Sequence, residues 1–79
     1  MDKKTEEMIA IGVAYGINCL GCMEYHKKKG IEAGLTTEEM QDAIGVAVMV
    51  KNGAAKKTRG YAGELFGKIS DKGSCPAGD

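Results

Sequence analysis

Cys19, Cys22 and His26 are the residues of this chain whose types and spacing could do chemistry. Separations of three and four place all three side chains on one face if the segment is helical. A Cys-x-x-Cys pair at a helix start holds two sulfurs close enough to bridge, and the N-terminal N–H groups and macrodipole there favour a thiolate. Such surroundings, or an adjacent imidazole, lower a thiol pKa from about 8.5 to roughly 3.5–7.5. A value of about 6.5 would raise the thiolate fraction at pH 7 from about 3% to about 75%. The thiolate is the attacking species in dithiol chemistry. Two other readings stay open: buried small hydrophobes beside a satisfied core histidine, or a tetrahedral zinc site of Cys19, Cys22, His26 and Cys75. Packing alone gives a poor account of a glycine beside the pair and a histidine one turn later. Structural zinc sites take their second ligand pair from another knuckle, whereas Cys75 stands alone in a glycine-rich tail. Dithiol chemistry is the favoured reading.

Such a pair needs helices to hold it. Glycines and capping residues divide the chain into four expected helical stretches, giving an all-α bundle. The first runs from near Lys3 to about Gly16, with Glu6 and Glu7 placed near the positive helix end. Asn18 is the expected N-cap of a second helix from Cys19 to about Ala33, and Gly34 its C′ residue. Thr36-Thr37-Glu38-Glu39 fits a capping box, with Leu35 and Met40 at hydrophobic-staple positions. The third helix shows Met40, Ala43, Ile44, Ala47 and Val50 at helical spacing. Val46–Val50 is open to a buried-strand reading but has no convincing partner strand. Asn52-Gly53 is expected to end this helix. A fourth is expected from about Ala54 to Ile69, with Tyr61, Ala62, Leu65, Phe66 and Ile69 as its apolar stripe. Residues 1–69 are thus one domain, and 70–79 a flexible tail.

The 79 residues suffice for one domain with a marginal core, and three cysteines are too few for a disulfide framework, so self-association is expected. Eleven Lys+Arg balance eleven Asp+Glu, which gives no nucleic-acid footprint. Lys27-Lys28-Lys29 reads as a solvated helix end. No apolar stretch approaches a membrane span, and no secretory signal is recognised, so a reducing, cytoplasmic setting is expected. No Gly-x-Gly-x-x-Gly follows a strand, so no nicotinamide or flavin cofactor is implied.

Glu7, eleven intervening residues and then Cys19-Leu20-Gly21-Cys22-Met23-Glu24-Tyr25-His26 resemble the active-site signature of the alkylhydroperoxidase D-like branch of the carboxymuconolactone decarboxylase family. Ala33-Gly34-Leu35-Thr36-Thr37-Glu38-Glu39-Met40 resembles that family's turn into its next helix. The resemblance covers roughly residues 4 to 66. It implies an all-α fold of compact subunits assembling as trimers or hexamers. It also implies that Cys22 is the sheltered, reactive cysteine and Cys19 its disulfide partner. His26 is then the base that relays a proton through water toward Glu7, with neighbouring Glu6 an alternative carboxylate. Longer family members carry two related helical halves in one chain. Only the motif-bearing half is found here, and a second subunit is expected to supply the other.

The expected chemistry is a cycle between dithiol and disulfide that reduces hydroperoxides, disulfides or both, with an outside thiol or dithiol protein as reductant. Cys75 is either inert or a resolving thiol. Lactone decarboxylation has no obvious need for two cysteines spaced to bridge. A structural or zinc-stabilised helical oligomer is the non-enzymatic alternative.

Overall fold

The computed structural model describes residues 1–70; the expected tail and Cys75 lie, apart from Ser70, outside them. Three α-helices follow in order: α1 (Lys3–Gly16), α2 (Leu20–Glu32) and α3 (Thr37–Phe66). Among the described residues there is no strand, and Val46–Val50 lies within α3. None of these helices is long and apolar enough to cross a membrane.

The count of three corrects the expected four. Asn52-Gly53 does not end a helix; α3 runs through it for 30 residues. A single exposed glycine costs a helix only about 1 kcal/mol relative to alanine. Ala54, Ala55, Lys56 and Lys57 follow immediately as good helix formers, and the space around Gly53 is open. Helices commonly end at a residue of positive φ, and that conformation is found instead at Gly67, where φ is +82°.

The two turns that shape the molecule share one device. After α2, Gly34 takes φ +94°, its N–H bonds the Ile31 carbonyl, and the Leu35 N–H bonds the Gly30 carbonyl. That double bond pattern is a Schellman motif, with Gly34 as the expected C′ residue. After α1, Asn18 takes φ +60° with bonds from Asn18 N–H to Tyr15 and from Cys19 N–H to Ala14. Asn18 therefore closes α1 and does not cap α2, a second correction. Asparagine tolerates the left-handed region better than other residues with a Cβ, and an N-cap needs extended backbone. Cys19, with φ −95° and ψ 98°, supplies that backbone and is the N-cap.

The capping box of α3 is complete. The Glu39 N–H donates to the Thr36 hydroxyl at 3.0 Å, and the Thr36 N–H to the Glu39 carboxylate at 2.9 Å. Replacing Thr36 with alanine is expected to lower stability by about 1 kcal/mol, read by thermal melts at fixed concentration. The bond from the Thr36 N–H, aided by Lys4, holds the Glu39 carboxyl below 4.5. A depressed folded pKa means stability fully present above 4.5 and lost as pH falls through the lower folded value. Acid titration of helicity should show a smaller loss in Glu39→Gln than in the wild type, the remainder including that of Asp2, whose carboxyl is also lowered, by the Thr5 N–H at the start of α1.

Both α2 and α3 pack on α1. Ile11, Leu35 and Ala43 form the core, with Met8, Met40 and Ile44 against it. Gly30 lets α2 approach closely: a Cβ there would stand 3.0 Å from Leu35, 3.3 Å from Met40 and 3.4 Å from Ile11. Beyond Lys51, most of α3 stands away from the other helices. The radius of gyration of 16.1 Å exceeds the roughly 12 Å of a compact chain this long. Five buried hydrophobic residues stand against fourteen large, exposed ones among the described residues. A groove of about 650 Å³ between α1 and α3 is lined by Ile9, Val13, Ile17, Val46 and Val50.

Candidate active site

Cys19 sits where two helix ends meet. Its N–H closes the C-terminus of α1 on the Ala14 carbonyl at 2.9 Å. Its sulfur accepts the Cys22 N–H at 3.2 Å, taking the place an N-cap oxygen would hold. The backbone on either side of the sulfur is thus fixed by hydrogen bonds. Cys22 stands in the first turn of α2, and the two sulfurs are joined in a disulfide with a Cα–Cα distance of 5.2 Å. Both cysteines are half-buried. The helix N-terminus offers unsatisfied N–H groups and partial positive charge to whichever sulfur becomes anionic on reduction.

One turn further along α2, His26 meets Glu7 across the helix pair. Nδ1 lies 2.7 Å from Glu7 Oε1, a contact that requires α1 and α2 to fold back on each other. Glu7 is the buried charged residue among those described, 7% exposed; its neighbour Glu6 is exposed and pairs with Lys3 at 3.1 Å. Between the two carboxylates that the sequence left open, the fold brings Glu7 to the imidazole. A carboxylate only accepts, so this bond places a proton on Nδ1 and leaves Nε2 with its lone pair when the ring is neutral. Among the described residues no hydrogen bond joins the imidazole to either sulfur. His26 follows Cys22 by four residues on one helix, a spacing at which side chains lie about 5–6 Å apart at Cβ.

Residues that the spacing argument did not single out complete the surroundings. The Tyr25 ring stands edge-on to His26 with centroids 5.0 Å apart, and Lys29 lies 5.6 Å from the Tyr25 centroid. With Glu6, Glu7 and Glu32 they line a polar cleft of about 480 Å³. Tyr25 lay inside the signature as a neighbour of His26, but no periodicity marked it. Among the described residues, no group of three or more His, Cys, Asp or Glu side chains is arranged to hold a metal ion. Cys75, the remaining member of the zinc alternative, lies outside them.

Fold and site together define a small helical protein carrying a cross-linked Cys-x-x-Cys at a helix start, with a histidine–carboxylate pair one turn away. The chain belongs to the carboxymuconolactone decarboxylase family, whose sequence profile matches residues 1–62. The helical fold and the Cys-x-x-Cys pair agree with its alkylhydroperoxidase D-like branch, as the resemblance implied. The chain is similar to a Paracoccus denitrificans protein named "Uncharacterized protein 4 in cox locus", with 40% identity over 55 residues. The matched region is 70% of this chain and 50% of that protein, so the chain spans about half the length of this curated relative. No solved structure matches the chain.

Proposed function

We propose that this chain is a thiol–disulfide oxidoreductase in which Cys19 and Cys22 cycle between dithiol and disulfide, assisted by His26 and Glu7. The observation that carries this reading is the Cys19–Cys22 bridge at the start of α2, with the Cys22 N–H on the Cys19 sulfur. A purely structural bridge would gain little from closing so short a loop. The helix end does supply what a reacting pair needs, a cradle for negative charge.

The cycle begins with Cys22. His26, its Nδ1 proton held by Glu7, takes the Cys22 thiol proton directly or across a water through Nε2. With a hydroperoxide, the thiolate attacks the terminal oxygen, the O–O bond breaks and the alcohol leaves after taking up a proton. The resulting sulfenic acid is attacked by the Cys19 sulfur, which forms the bridge and releases water. With a disulfide substrate, Cys22 forms a mixed disulfide and Cys19 displaces the second thiol. Two electrons from an external thiol or dithiol protein restore the pair, so a reducing, cytoplasmic setting suits the cycle.

The test is a redox titration against glutathione, with each cysteine alkylated and identified by mass, followed by turnover on a hydroperoxide and on a small disulfide. One reversible two-electron couple, with a thiol titrating below the ordinary 8.5 or so, is the expected result. Thiols that react only on unfolding, or stoichiometric zinc in place of a couple, would sink this reading. Loss of carboxylate from a muconolactone persisting in a Cys19/Cys22 double variant would replace it with decarboxylation.

We further propose that the working form is a homo-oligomer, a trimer or hexamer. The α1–α3 groove is lined by apolar side chains, and Tyr61, Leu65 and Phe66 stand exposed on the free end of α3, surfaces that a partner copy would cover. Sedimentation at micromolar concentration should give a multiple of the chain mass. Val46→Glu, which puts a charge in the groove, should shift the protein toward monomer. A wild-type monomer would remove the proposal.

A further inference from the structure

Lys51 reaches from α3 to the turn that carries Cys19. Its ammonium donates to the Asn18 side-chain oxygen and to the Tyr15 carbonyl at 3.5 Å, and lies 4.9 Å from the centroid of the Tyr15 ring. Three contacts from one side chain therefore converge on the end of α1. Asn18, the residue gripped, is the one non-glycine with positive φ among those described. A residue with a Cβ occupies that region at a steric cost, and only where its surroundings hold it there. The next residue is Cys19, whose backbone depends on the same turn through its bond to Ala14. The cycle proposed above, on which this inference rests, gives Lys51 no part.

We infer that Lys51 is a positioning residue for the redox pair. By tying the Asn18 side chain to α3, it keeps the turn left-handed and holds the Cys19 sulfur at the helix cap within reach of Cys22. Without that tie the turn populates other conformations, and the Cys19 sulfur spends less time where Cys22 can meet it. The effective concentration of one thiol at the other then falls, and closure of the bridge becomes less favourable. The equilibrium that reads this is exchange with oxidised glutathione. Two protein thiols lose two protons and two electrons and form the Cys19–Cys22 bond. The glutathione S–S bond breaks and two glutathione thiols result.

The experiment measures that equilibrium constant in the wild type, Lys51→Met, Lys51→Arg, Asn18→Gly and the Asn18→Gly/Lys51→Met double variant. Lys51→Met is expected to lower the constant about fivefold, as suits loss of a half-exposed charged hydrogen bond. Lys51→Arg, which keeps the charge, the N–H donors and a cation over the Tyr15 ring, should return it to within about twofold of wild type. Glycine adopts positive φ without strain, so Lys51→Met should shift the constant less than about twofold in the Asn18→Gly background. That coupling separates positioning from a general loss of stability. The two variants built on Asn18→Gly also keep the test open if Lys51→Met alone folds poorly. An exchanging wild type with an unchanged constant in Lys51→Met, or an equal shift in both backgrounds, overturns the assignment to Lys51 alone. A wild-type pair that does not exchange with glutathione overturns the redox reading and this inference with it.

Discussion

Cys22→Ser is expected to abolish turnover on hydroperoxides and small disulfides, by about a thousandfold or more, while the protein stays folded. The expectation follows from the role proposed for the sulfur: a serine hydroxyl at neutral pH is not a usable nucleophile without a base tuned to it. Cys19→Ser should fail differently. Cys22 still attacks once, so a stoichiometric burst is expected, followed by accumulation of a sulfenic acid or a mixed disulfide that mass analysis would identify. The two variants together report which cysteine attacks. A burst in Cys22→Ser and none in Cys19→Ser would reverse the assignment.

The Cys19 variant has an unusual advantage as a test. Cys19 is the N-cap of α2 and its sulfur accepts the Cys22 N–H. Serine is among the best N-cap residues, and its oxygen accepts the same bond. Compared with the reduced wild type, Cys19→Ser should therefore hold or gain helix stability while losing multiple turnover. Loss of activity cannot then be assigned to a collapsed site if the melting temperature is unchanged. Unchanged turnover in both serine variants would leave the bridge a structural feature only.

What could be read along the chain was local. Thr36 and Glu39 announced the start of α3 because a capping box is complete within four residues, and Gly34 marked the end of α2 by its own conformational freedom. The Cys19–Cys22–His26 spacing was legible for the same reason. Glu7 needed the family resemblance, since its partner lies 19 residues away. Two local signals misled. Gly53 resembles a helix end, but nothing obliges the chain to turn there, and α3 continues. Asn18 carries a side chain suited to an N-cap, yet a single residue cannot both take φ +60° to close α1 and stay extended to open α2. Which role wins depends on the hydrogen bonds of Cys19 and on Lys51, 33 residues away. No pattern along the chain encodes that contact.

The Glu7–His26 pair should carry both stability and chemistry, and the two can be separated. The Glu7 side chain is 9% exposed and that of His26 29%, so removing the imidazole leaves a nearly buried carboxylate without a partner. Breaking a fully buried pair costs about 3–5 kcal/mol; with His26 partly in water, His26→Ala should cost about 2 kcal/mol. For a chain of this length that is a fall of about 10 °C in melting temperature, compared at equal protein concentration because association shifts the midpoint. Glu7→Gln keeps an oxygen to accept the Nδ1 proton and nearly the same shape, so its stability should change by less than about 1 kcal/mol. Turnover should nevertheless fall about 10–100-fold, since an amide cannot stabilise the imidazolium formed as the Cys22 proton is taken. A third variant closes the cycle. Replacing both residues, Glu7→Leu with His26→Ala, removes the stranded charge and should recover most of the stability lost in His26→Ala, with no recovery of turnover. Full activity in Glu7→Gln, with the expected stability loss in His26→Ala, would assign the pair to holding α1 against α2 and leave activation of Cys22 to the helix end alone.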